Sequence, residues 1–173
     1  MLPARTDLAA NVLRKIEKAE NGIVRHELIE ETVIFHIRGD ELLRKRARGV
    51  VIHFTDEELV RVAGNIVTHN HLEIGSLSAH DACLLQHKPY EVRVVDEQYR
   101  YSMRLDDPSK PLSQQQSATM QKEAHRLERE LQDELAERAL RQGERGKTSP
   151  DIMHEVWLRL ASKYGLIYHR ERR

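Results

Sequence analysis

Apolar residues recur along this chain at two periods, and the places where the period changes mark its elements. Over 7–20, Leu8, Val12, Leu13 and Ile16 fall on one helical stripe, with Asp7 placed to cap it and Asn21-Gly22 to stop it. The β-branched, apolar run from Glu30 to Ile37 predicts a buried strand, closed by a turn at Arg38-Gly39-Asp40. Val50 to Phe54 predicts a second strand. Thr55 and Glu58 then form a capping box that opens a short helix over 56–64. Asn65 to Thr68 predicts a third strand, which runs out into His69. Ser78 is a good N-cap for a helix from Ala79, ended by Pro89. Tyr90–Val95 and Gln98–Met103 predict a hairpin about Asp96-Glu97.

The pattern changes near residue 106. Asp106-Asp107-Pro108-Ser109-Lys110-Pro111 and the Gln114-Gln115-Gln116 triplet predict a linker over 106–116. Residues 117–142 predict a charged helix with Leu127, Leu131 and Leu135 on one stripe. Three leucines do not make a coiled-coil seam, so packing on a neighbour is expected. Ser149-Pro150 opens a helix to about 164 whose apolar face holds Ile152, Met153, Val156, Trp157 and Leu160. Gly165 closes it, and Leu166 to Tyr168 can add a short strand. The expected organisation is an α+β domain over 1–105, the linker, and a helical extension over 117–173.

Composition narrows the function classes. The 28 basic and 28 acidic side chains cancel, so the chain lacks the basic field that general nucleic-acid binding needs. Cys83 is the only cysteine, which excludes an intrachain disulfide and a cysteine-based zinc cluster and fits a reducing, cytoplasmic setting. The first residues show no apolar signal region. No apolar run approaches the roughly 20 residues needed to span a bilayer, so no membrane association is expected.

The candidate chemistry lies where the third strand ends. Side chains at i and i+2 of an extended segment share a face, so His69 and His71 can share a metal. Asp81 follows ten residues after His71, at the start of a helix, and the intervening loop can return its carboxylate to the same point. Two histidines and a carboxylate are a catalytic Zn²⁺ set that leaves the fourth position to water. A general base must then be a carboxylate off the metal. Glu30 and Glu31, at the entry to a buried strand, are the candidates, and the Ser78 hydroxyl can serve the water or an oxyanion. His80 reads as a surface histidine, and His36 and His53 as strand-face histidines. The literal His-Asn-His string does not indicate an HNH nuclease, whose named residues are spread over a ββα unit.

The run Ile66-Val67-Thr68-His69-Asn70-His71 followed by Ser78-Ala79-His80-Asp81 resembles the JAB/MPN (JAMM) signature, His-x-His, a short loop, then Ser-x-x-Asp. It is similar to the branch that holds RadC-like proteins and JAB-like domains of phage head-morphogenesis proteins. The resemblance covers about residues 7–104. It departs from the pattern at Leu72, where the family has proline, and in a slightly shorter loop between His71 and Ser78. It implies a JAB/MPN-like mixed sheet flanked by helices and a zinc metallopeptidase or isopeptidase. It also implies His69, His71 and Asp81 as ligands, Ser78 as the motif serine, and Glu30 as the catalytic glutamate, with Glu31 as the alternative. The implied partner is a protein or peptide substrate, ubiquitin-like conjugates included. Because some members of the family are silent, a phage-head structural module is the second expectation.

Overall fold

Thr32 to Phe35, one of the chain's strongest apolar runs, lies within β1 (Glu30–Phe35), an interior strand one place in from the edge of the sheet. A computed structural model describes residues 8–24, 29–47, 53–72, 75–142 and 151–173. The other strands are β2 (Glu41–Ala47), β3 (Ile66–Asn70), β4 (Glu91–Val95), β5 (Tyr99–Leu105) and β6 (Leu166–Arg172). They form one mixed sheet in the order β2-β1-β3-β4-β5-β6. Every neighbouring pair is antiparallel except β3 and β4. Parallel neighbours need a crossover, and the chain makes it through α3 (Ala79–Cys83). The other helices are α1 (Ala10–Ile23), α2 (Asp56–Val60), α4 (Gln114–Gln142) and α5 (Ile152–Leu160). The fold is therefore mixed α+β, with a six-stranded mixed sheet flanked by helices.

Strand alternation divides the core between the two faces of the sheet. Val33, Phe35 and Ile66 meet Val12, Ile16 and Ile23 of α1 on one face. On the other, Ile34 and Val67 pack with Val62 just beyond α2. Farther along that second face, Val92, Val94, Tyr101 and Met103 pack against α3, α4 and α5. Glu20 of α1 is buried with Arg93, which it binds at 2.6 Å, and with Arg100 at 3.0 Å. Burial alone would raise the Glu20 carboxyl. The charges and hydrogen bonds of the two arginines outweigh it, so the pKa lies below its ordinary value.

Several boundaries differ from the expected ones. α1 runs through Asn21-Gly22 because Ile23 is buried against the sheet. Asp7, its expected cap, lies outside the described residues. The expected strand at 50–54 is a correction: His53 and Phe54 are not in a strand, and Val50 to Ile52 lie outside the described residues. The partner of β1 is instead β2, ELLRKRA, across a turn in which Gly39 takes φ +89°. β2 is an edge strand with exposed and half-exposed side chains, so it has no apolar run to betray it, and charge there discourages edge pairing.

The C-terminal residues complete the sheet. β6, expected only over Leu166–Tyr168, pairs with the whole of β5 from Leu105↔Leu166 to Tyr99↔Arg172. Val156, Trp157 and Leu160 are buried in the same core as Leu77 and Tyr101. The expected start of the last helix, Ser149-Pro150, lies outside the described residues. Asp151 is the observed N-cap, accepting from the His154 amide at 3.0 Å. Among the described residues no helix is long and apolar enough to cross a membrane.

Candidate metal centre

β3 carries His69 on the face opposite α1 and ends at Asn70, after which His71 leaves the strand with its amide still bonded to the Val95 carbonyl at 2.9 Å. His69 lies opposite Thr32 of β1, so the two side chains share a face. α3 brings back the third group. Ser78 is its N-cap and Asp81 its N3 residue, joined in a complete capping box. Ser78 donates to Asp81 Oδ2 from its amide and from its hydroxyl, both at 2.7 Å, and Ser78 Oγ accepts from the Asp81 amide at 3.1 Å. A local helix-capping motif thus aims the carboxylate at the end of β3.

Two imidazole nitrogens and the two oxygens of one carboxylate converge there. His69 Nε2 lies 3.2 Å from His71 Nε2 and 3.1 Å from Asp81 Oδ1, and His71 Nε2 lies 3.3 Å from Asp81 Oδ2. Donors bound to a tetrahedral ion at ~2.0–2.1 Å stand about 3.3–3.4 Å apart, close to these separations. Among the described residues this is the group of metal-type donors that comes together.

The chemistry of the donors favours a cation between them. His71 Nδ1 contacts the Gly75 carbonyl at 3.2 Å, and a carbonyl only accepts, so that nitrogen carries the hydrogen. In neutral His71, Nε2 is then a bare lone pair facing a carboxylate oxygen. Either a proton or a metal ion must sit between them. The titration tendencies agree. Burial pulls the His71 pKa down, but the hydrogen bond and charge of Asp81, then Glu30 and the Gly75 carbonyl, outweigh it and leave it raised. Burial pushes Asp81 up, but His69 and then His71 hold it well below the usual carboxylate range.

The group opens onto a cleft of ≈ 410 Å³. Glu30, His69, His71, Ser78 and Asp81 are among its polar lining, and Phe54, Leu59 and Leu84 among its apolar lining. Glu30 therefore faces the candidate ligands. Glu31 does not: its carboxylate is buried on the other face of the sheet and bonded to Arg44 and, at 2.6 Å, to Arg46. Of the other histidines, His53 and His80 are exposed but also border the cleft, and His36 does not.

The supports of the loop between His71 and Ser78 come from far along the chain. Asp96 accepts from the Gly75 amide at 3.0 Å and from Tyr101 Oη at 3.1 Å. Asp151 accepts from the Ser76 amide at 3.2 Å, and Ser76 Oγ pairs with Tyr168 Oη at 2.7 Å. Trp157 Nε1 donates to the Leu77 carbonyl at 2.6 Å. Sequence periodicity marked Trp157 as a core residue, but nothing local connects it to a loop 80 positions earlier. Set beside known proteins, the chain matches no protein-family model, no curated protein and no solved structure.

Proposed function

We propose that this chain is a zinc-dependent hydrolase of the JAB/MPN (JAMM) type that cleaves a peptide or isopeptide bond in a protein substrate, ubiquitin-like conjugates included. The observation that carries this reading is the convergence of His69 Nε2, His71 Nε2 and the Asp81 carboxylate, whose two oxygens lie 3.1 Å from His69 and 3.3 Å from His71, in a cleft that also holds Glu30. The order of elements supports it too: a helix, a strand opening with Glu30, a strand that ends at Asn70 between the two histidines, and a helix carrying Asp81 in its first turn.

Zinc held by this set supplies Lewis acidity, making water acidic near neutral pH and polarising a carbonyl. The protein supplies the rest. Glu30 takes the proton of the attacking water and delivers it to the leaving amine. Ser78 holds Asp81 through two donated hydrogen bonds, and its hydroxyl serves an oxyanion only after turning away from that carboxylate. The His71 Nδ1 contact with Gly75 keeps Nε2 as the ligand atom. Phe54, Leu59 and Leu84 give the cleft apolar surface against which the apolar parts of a substrate can pack.

The test is hydrolysis by the zinc-loaded chain of a peptide library and of ubiquitin-like conjugates, compared with Glu30→Gln. Turnover that disappears in the variant while zinc stays bound supports the enzyme. Zinc bound with no turnover in either protein identifies a silent module, such as one in a phage head.

A further inference from the structure

β1 and β3 part company where the proposed base stands. Their ladder runs from Phe35↔Ile66 to Thr32↔His69 and goes no further. Beyond it, the backbone of the β3 end is committed to β4, through the Asn70↔Val95 pairing and the His71 amide bond to Val95. On its β3-facing edge the backbone on either side of Glu30 would therefore lose its partner, while the opposite edge stays paired with β2 through Glu30↔Ala47 and Glu31↔Arg46. The side chain of Asn70 takes over. Its Oδ1 accepts from the Glu31 amide at 2.7 Å, and its Nδ2 donates to the Ile29 carbonyl at 3.0 Å. Asn70 is 1% exposed; its bond to the Glu31 amide is buried and its bond to the Ile29 carbonyl half-buried.

We infer that Asn70 is a positioning residue for Glu30, gripping the peptide groups before and after it so that its carboxylate is held toward His69, His71 and Asp81. The inference rests on the hydrolase reading for its chemistry, but the grip itself is a separate statement. An amide side chain is the fitting group, because one acceptor and one donor on a planar frame match the Glu31 N–H and the Ile29 C=O. Apolar side chains offer neither, and a hydroxyl is too short to bridge both. The middle position of His-Asn-His thus has a use separate from the metal. His69 and His71 point to the donor set, and Asn70 fixes the neighbouring strand against them. Misplacing a catalytic group by about 1 Å can cost on the order of 10²-fold in rate.

The experiment compares the full chain with Asn70→Ala, Glu30→Gln and the double variant, all loaded with zinc. Asn70→Ser stands in if the alanine variant does not fold. Backbone amide exchange gives a readout that needs no activity. Removing the grip is expected to speed exchange of the Glu31 amide at least about tenfold, while the Val33 and Ile34 amides inside the ladder keep their rates. Zinc content stays at the wild-type level. kcat is expected to fall about 10²-fold with KM unchanged, and with no further loss when Glu30→Gln is already present, since both changes then act through one carboxylate. Unchanged protection of the Glu31 amide overturns the inference. So does a loss from Asn70→Ala that is as large in the Glu30→Gln background as in the wild type. If the wild type hydrolyses nothing, the hydrolase reading fails by itself, and the amide measurement still decides the grip.

Discussion

Glu30 and Glu31 are neighbours in β1 and face opposite sides of one sheet. Glu30 borders the cleft with His69, His71 and Asp81, while Glu31 is buried against Arg44 and Arg46. The two carboxylates therefore separate chemistry from structure. Glu30→Gln is expected to keep zinc and lose ~10²–10⁴ in turnover. Glu31→Gln is expected to keep turnover and lose about 1–3 kcal/mol of stability, the usual cost of weakening a buried charged hydrogen bond. Zinc content, turnover and denaturant unfolding of the two variants check this together.

Zinc binding should be sensitive to acid early. His71 must lose its proton to ligate, and its pKa is raised above the ordinary 6.5. Zinc affinity is then expected to start falling at a pH above 6.5. In the metal-free protein the two partners act in opposite windows. The raised His71 pKa contributes stability that is full below 6.5 and lost as pH rises through its folded value. The depressed Asp81 pKa contributes stability present above its ordinary 3.8 and lost as pH falls through its folded value. Zinc titrations from pH 5 to 8, with unfolding of the metal-free chain alongside, check both signs.

Ser78→Ala is expected to weaken zinc binding by about 10–100-fold, because it removes the hydroxyl that orients Asp81. It also removes the α3 N-cap, at about 0.5–2 kcal/mol. A zinc-affinity loss that persists under conditions where the variant is fully folded distinguishes orientation of the ligand from simple fraying of the helix.

The C-terminal residues are expected to be indispensable to the loop that precedes Ser78. Trp157 is fully buried and bonded to the Leu77 carbonyl, so Trp157→Ala should cost ~3–5 kcal/mol and lower zinc affinity as well. A chain ending at residue 105 loses β6, α4 and α5, and so uncovers Tyr101 and Met103. It is expected to lack a cooperative unfolding transition by calorimetry.

The sequence was informative where a local rule and the tertiary fold agreed. His69 and His71 share a side because of strand spacing, and Ser78 and Asp81 are joined because a capping box is a local motif. β2 was illegible because an edge strand needs no apolar run, and Glu41–Ala47 is mostly charged. β6 was underestimated for the same reason: its outer half, His169 to Arg172, is polar edge. Asn21-Gly22 looked like a stop until Ile23 found its place against the sheet. The choice between Glu30 and Glu31 depended on strand register, which neither residue type reveals. The supports from Asp96, Asp151, Trp157 and Tyr168 are bonds between distant segments and leave no periodic trace.

The most direct test of the metal centre is an anomalous-scattering map at the zinc edge from crystals of the zinc-loaded chain. One peak is expected ~2.0–2.2 Å from His69 Nε2, His71 Nε2 and an Asp81 carboxylate oxygen. No peak there after zinc loading, or a peak whose ligands exclude any of these three residues, would contradict it.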